Sequence, residues 1–198
     1  MIQTHVTSSP SAVYGCVRCL EVVTEKTGDD TLAQLTAVLV PALLQMIRSD
    51  VFQVNIKRRC LRTLFRIFEL ASYVPSRKNS VVAQLPQVLP FLLSQAFLPY
   101  TVDNGYIMSE TLPLLVIVLQ YWVKYADAIL LELSDKLLQF LSGFVSNYIS
   151  KEVAHGSAAD WDEGYTTDGE TVSPVTLAAQ VLEVLDSLLQ CRKSKANI

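Results

Sequence analysis

Two stretches of this chain repeat each other with nearly constant wording, and that self-similarity limits what it can fold into more than any other feature. Ala33-Gln34-Leu35 opens a run that ends in Pro41-Ala42-Leu43-Leu44. Ala83-Gln84-Leu85 opens another, about fifty residues later, that ends in Pro90-Phe91-Leu92-Leu93. The segments before them also echo each other, Cys16-Val17-Arg18-Cys19-Leu20 against Cys60-Leu61-Arg62-Thr63-Leu64, offset by about forty-four residues. A period in the forties, built from two helical segments per unit, describes stacked helix pairs that bury their apolar faces only against their neighbours.

Such stacks are α-solenoids of HEAT or armadillo type, and they serve as surfaces for other macromolecules more often than as active sites. The spacing of apolar residues predicts about seven helices and no segment with a convincing period of two, so the fold class is all-α, an α-solenoid of antiparallel helix pairs. The first helix is expected over Ser11–Lys26, with Val13, Cys16, Val17, Leu20 and Val23 on one face. Gly28-Asp29-Asp30 stops it, and Asp30 or Thr31 is expected to cap a second helix over Thr31–Arg48, packed through Leu35, Val38, Leu39, Ala42, Leu43 and Ile47. A third, Gln53–Tyr73, buries Cys60, Leu61, Leu64, Phe65 and Phe68, and Pro75–Asn79 reads as a loop. Pro86 and Pro90 predict a kink or a late start in a fourth helix over Val81–Phe97. Pro99 to Gly105 is expected to break the chain before a fifth helix, Tyr106–Tyr125, which Pro113 bends. A sixth is expected over Ala128–Lys151, and Pro174 suits the first turn of a seventh that runs through Leu177, Val181, Leu182, Leu185 and Leu189. The organisation expected is a flexible segment 1–10, repeats over 11–52, 53–102 and 103–151, an acidic loop 152–173, and the first helix of a further repeat over 174–198. Helical patterning that begins so near one end and is still running near the other reads as a slice from the middle of a longer stack.

Composition agrees with a packed core. Of the 198 residues 51% are apolar and 18% charged, which excludes disorder. The longest apolar stretch, Leu112 to Val123, is too short to span a bilayer and contains Pro113 and Gln120. Met1 to Pro10 lacks the basic and apolar regions of a signal peptide. The four cysteines, Cys16, Cys19, Cys60 and Cys191, lie in apolar helical patterns and are expected to be reduced and buried. A metal reading of Cys16-x-x-Cys19 has no second ligand pair, because His5 and His155 are isolated, and no βαβ pattern supports a redox motif. No metal and no cofactor is expected.

The net charge of −3 hides a segregation. Eight basic residues fall between Arg48 and Lys78, against Asp50 and Glu69 alone. Arg58, Arg62 and Arg66 stand four apart and form one stripe along the third helix. It suits either phosphates or an acidic partner, or else a solvated face paired with acids of neighbouring repeats; the second reading is favoured, and the aromatic interleaving that single-stranded nucleic acid needs is missing. Between Lys151 and Arg192 there is no Lys or Arg but eight acids, five of them in the eleven residues Asp160 to Glu170. Asp160, Asp162, Glu163, Asp168 and Glu170 there alternate with Trp161 and Tyr165. One reading is a linker kept soluble by its charge. The other is a mobile acidic segment whose aromatic residues anchor a basic partner drawn in by long-range attraction. The pattern lacks the spacing of an EF-hand loop.

No catalytic constellation is present: no Gly-rich phosphate cradle, no His-Glu-x-x-His and no Gly-x-Ser-x-Gly. Two isolated histidines leave only solvated, clustered carboxylates as bases, and nothing raises their pKa. The chain reads as a binding protein and not an enzyme.

Ala12 to Glu25 (AVYGCVRCLEVVTE), Val38 to Leu44 (VLVPALL), the basic helix Ile56 to Phe68, and the acidic insertion containing Asp168-Gly169-Glu170 together resemble, in order and spacing, a stretch of the importin-β (karyopherin-β) superfamily of HEAT-repeat transport receptors, in particular its importin-nine-like members. The resemblance implies an internal fragment of the N-terminal half of a nuclear import receptor that shuttles between cytoplasm and nucleus. It implies basic protein cargo such as core histones and ribosomal proteins, regulation by the small GTPase Ran through repeats outside this fragment, and contact with Phe-Gly nucleoporins. Neither nucleic acid binding nor membrane insertion follows from it. The cargo contact expected here is Asp160, Trp161, Asp162, Glu163, Tyr165, Asp168 and Glu170. The competing expectation is a HEAT-repeat scaffold subunit of a phosphatase, vesicle-coat or chromosome-organising complex.

Overall fold

The computed structural model describes residues 9–98, 101–126, 135–139, 142 and 174–196, and every element among them is helical. Helix α1 spans Pro10–Lys26, α2 Asp29–Arg48 and α3 Val54–Tyr73. A 3₁₀ turn, Pro75–Arg77, leads into the short α4, Lys78–Val82, and then α5, Leu85–Ala96. Helix α6 covers Val102–Ala126 and α7 covers Pro174–Ala196.

The helices form two rows. Helices α1, α3, α6 and α7 lie side by side in that order, while α2, followed by α4 and α5, makes the second row. Between the rows, α2 rests mainly on α3, and α5 on α6. This packed, all-helical arrangement is consistent with an α-solenoid. Its core is one continuous cluster in which Leu43 and Leu44 of α2, Leu61, Leu64, Ile67 and Phe68 of α3, Leu85, Phe91, Leu92 and Leu93 of α5, and Met108 of α6 are fully buried. Leu137, within 135–139, belongs to the same cluster.

Local chemistry explains most of the boundaries. Pro10 begins α1 and Pro174 begins α7, positions where a missing N–H costs nothing and the fixed φ is already helical. The prolines of the fourth predicted helix delay it: α5 starts at Leu85 with Pro86 in its first turn. Other boundaries differ from expectation. The N-cap of α2 is Gly28, with no side-chain cap bond, so Asp29 and Asp30 fall inside the first turn and not before it. The stretch expected as a loop over Pro75–Asn79 instead winds into the 3₁₀ turn and α4, held where an Arg77 guanidinium N–H donates to the Thr27 carbonyl at 3.1 Å. Helix α6 begins at Val102, ahead of Gly105, which the sequence reading took as part of a break. The Thr101 hydroxyl accepts the Asn104 N–H at 3.1 Å and Asp103 lies in the first turn. A cap of this kind contributes about 1 kcal/mol, comparable to the penalty for one glycine in a helix. The expected helix Ala128–Lys151 lies largely outside the described residues.

Val17, Leu39, Leu43, Ile47, Leu177 and Val181 are buried as predicted, but other positions on the same helices depart from expectation. On α1, Val17 and Thr24 are buried while Cys16 and Val23 are exposed. On α2, Val38 is 72% exposed, whereas Thr36, Val40 and Leu44 are buried. On α7, Val184 and Leu188 enter the core with Leu177 and Val181, leaving Leu182 and Leu189 in solvent. In each case a position one or two residues away takes the buried place, which reflects which neighbour the helix meets.

Candidate functional site

The seven residues predicted to hold cargo, Asp160, Trp161, Asp162, Glu163, Tyr165, Asp168 and Glu170, lie outside the described residues. The other charged feature of the sequence, the arginine stripe of α3, is fully described, and it forms the polar seam between α3 and its two row neighbours.

Helix α3 presents arginines at 58, 59, 62 and 66, and both flanking helices turn carboxylates toward them. From α6, a single oxygen of Glu110 accepts from Arg58 Nε at 3.1 Å, Arg58 Nη2 at 2.8 Å and Arg62 Nε at 2.9 Å, and lies 2.7 Å from Arg62 Nη2. From α1, Glu21 accepts from Arg59 Nη1 at 3.0 Å, while Arg59 Nη2 donates to the Tyr14 hydroxyl at 2.7 Å. Arg66 donates to Glu69 at 2.6 Å and stands 3.6 Å from Glu25. Two rings complete the arrangement, with the Arg58 guanidinium 4.9 Å from the Tyr106 ring centre and that of Arg59 5.2 Å from Tyr14.

Burial falls steeply along this ladder. The Arg58 side chain is 6% exposed and Glu110 14%, Arg59 and Glu21 15% and 17%, Arg66 and Glu25 46% and 37%. The innermost pair is therefore the one that must be satisfied, because an arginine there has lost its water and cannot shed its proton. Burial by itself would lower the Arg59 guanidinium, but the Tyr14 hydroxyl and then Glu21 outweigh it and hold the group above its ordinary value. At Arg66 the hydrogen bond to Glu69 outweighs burial and, with the charges of Glu69, Glu25 and Glu21, raises the guanidinium. Four guanidinium charges meet four carboxylates, Glu21, Glu25, Glu69 and Glu110, so the ladder is balanced. A pocket of about 290 Å³ opens beside it, lined by Glu21, Arg62, Phe65, Arg66, Glu110 and Pro113.

The favoured sequence reading anticipated that the stripe pairs with acids of neighbouring helices, but it expected a solvated face, and Arg58 is buried with Arg59 and Arg62 largely covered. The partners themselves were missed. Glu110 and Glu21 stand 52 and 38 residues from the arginines they meet. The only advance signal was the four-residue spacing of the arginines, which says that one face is basic and not what faces it.

The cysteines depart in part from the expected burial. Cys60 is buried as expected, and burial pushes its thiol up to about 12, which keeps it protonated and inert. Cys16 and Cys19 are exposed free thiols on α1 and do not belong to the core. They face away from the side on which Val17 packs toward α3. Among the described residues no group of three or more His, Cys, Asp or Glu side chains is placed to hold a metal, and no helix is long and apolar enough to cross a membrane. Compared with known protein families, with curated proteins and with solved structures, the chain matches none of them.

Proposed function

We propose that the chain is a stretch of HEAT-type solenoid from an importin-nine-like nuclear import receptor that holds basic proteins, core histones or ribosomal proteins, against its acidic segment Asp160 to Glu170. The observation that carries the proposal is the balance of charge along α3. The arginines that were the chain's best candidates for meeting phosphate are occupied by Glu21, Glu25, Glu69 and Glu110. The strongest concentration of charge left in the sequence is then acidic, with five carboxylates in eleven residues. A surface with that imbalance attracts basic proteins and repels nucleic acid. Trp161 and Tyr165 supply the aromatic anchors that convert attraction into a lasting contact. In this reading the chain works by binding and not by catalysis. Ran acts through repeats beyond these 198 residues, Phe-Gly nucleoporins carry the receptor through the pore, and the protein moves between cytoplasm and nucleus.

One observation favours the scaffold alternative. The second row carries little charge: α5 has no ionisable residue, α4 has Lys78 at its start, and α2 has Asp29, Asp30 and Arg48 only at its ends. Its exposed positions include Ala37, Val38, Pro86 and Pro90, chemistry that suits a permanent subunit contact better than a basic cargo.

Binding of a labelled core-histone dimer at low and at physiological salt separates the two. Binding that weakens with salt and is lost when Asp160, Asp162, Glu163, Asp168 and Glu170 become Asn or Gln supports the receptor reading. Equal binding by that variant removes the acidic segment from the contact. Absence of binding at either salt favours the scaffold.

A further inference from the structure

Cys16 and Cys19 stand one helical turn apart on α1, and both are exposed free thiols. They share a stripe with Ala12 and Val23, also exposed, and that stripe carries no carboxylate or imidazole. What two thiols in this setting can bind is narrowed by geometry. A structural zinc site takes four protein ligands, and two sulfurs do not supply them. A disulfide does not fit the helix either. Side chains three apart in an α-helix have their Cβ atoms about 5–6 Å apart, whereas a disulfide draws its Cβ atoms to about 3.5–4.5 Å. Closing that bond would distort α1 beside Val17 and Leu20, which pack into the core or against it. Two sulfurs that share one ion at metal–sulfur distances of about 2.3 Å stand up to about 4.6 Å apart, a span that fits neighbouring turns of an intact helix.

We propose that Cys16 and Cys19 form a two-coordinate site for a soft, thiophilic monovalent cation of the Cu(I) type. Thiolate ligands select such cations over hard ones, and a pair of thiolates with no third donor beside them among the described residues suits an ion that accepts two ligands. Binding is an exchange of protons for metal. Each S–H proton leaves to solvent, two Cu–S bonds form, the complex carries one negative charge, and no electron is transferred. The site lies on the side of α1 away from α3, so occupancy leaves the ion-pair seam intact. Cys60, buried in the core, does not compete.

The test is an anaerobic titration of the whole reduced chain with Cu(I) against a chromogenic Cu(I) chelator, run beside Cys16→Ser, Cys19→Ser and Cys191→Ser. The expected result is one cation per chain, with affinity reduced at least about tenfold in either of the first two variants and unchanged in the third. Helical circular dichroism stays the same in Cys16→Ser and Cys19→Ser, since both side chains are exposed. Undiminished binding in both of those variants, no uptake by the reduced wild type, or a Cys16–Cys19 disulfide found by non-reducing peptide mapping would each overturn the proposal.

Discussion

Two of the seams between neighbouring helices in this molecule are built from opposite chemistry. Along the row α1–α3–α6, the joints combine apolar packing with a ladder of arginines and glutamates, graded from nearly dry at Arg58 to half-exposed at Arg66. Where α2 meets α5, the joint is almost wholly apolar, and one cation on a ring, Arg48 over Phe91 at 5.2 Å, is the charged contact there. The difference teaches a division of labour. Apolar burial is undirected and supplies most of the free energy in both places. A buried carboxylate shared by two guanidinium groups adds little net stability over an apolar substitute. It allows one register and penalises others, because any slip strands a charge.

That contrast can be broken or sharpened by experiment. Phe68→Ala on α3 and Phe91→Ala on α5 should each lower unfolding free energy by about 3–5 kcal/mol in denaturant titrations. Markedly unequal losses would mean that the two joints do not share apolar burial as their main support. A pH titration probes the dry face of the ladder's own helix. The Cys60 thiol is raised from 9.0 to about 12 in the folded chain, so the unfolded chain loses its proton first as pH rises. Stability from this group is present below pH 9 and is lost between about 9 and 12. Relative to Cys60→Ala, the wild type should lose on the order of 4 kcal/mol across that window. Parallel curves would place Cys60 in contact with water.

Glu110→Ala leaves the buried Arg58 without its carboxylate and should cost about 3 kcal/mol, the low end for breaking a buried pair. Arg58→Met in that background should recover part of the loss; a double-mutant cycle with no coupling would remove the register argument. Arg59→Ala gives up Glu21 and the Tyr14 ring together and should cost about 1–2 kcal/mol, with earlier hydrogen exchange in α1 than in α6. Arg66→Ala, at the wet end, should change stability by less than about 0.5 kcal/mol, and that small change should vanish in high salt. A ladder in which Arg66 matters as much as Glu110 would not be graded by burial.

The fold was largely legible in the sequence, and the seam only by half. Prolines at 86 and 174 marked helix starts because their effect is local, and a basic stripe follows directly from arginines at 58, 62 and 66. Glu110 was invisible as their partner. Nothing near it in sequence distinguishes it from Glu25 or Glu69, which lie nearer the surface. The exposure of Cys16, Cys19 and Val38 was misread for a related cause. These helices have enough apolar residues to define more than one plausible face, and a pattern rule takes the residues and not the neighbour.

What the sequence determined by itself is the all-helical class, most of the described helices with their approximate ends, and the separation of basic from acidic charge. These follow from interactions within a few residues, and 3.6 residues per turn turns spacing directly into faces. Tertiary structure alone decided how far each helix turns about its axis, which thiols meet water, and that one oxygen of Glu110 holds two arginines of α3. Those choices depend on groups tens of residues apart arriving at the same dry place. There the penalty for an unpaired charge, and not local preference, selects the arrangement that persists.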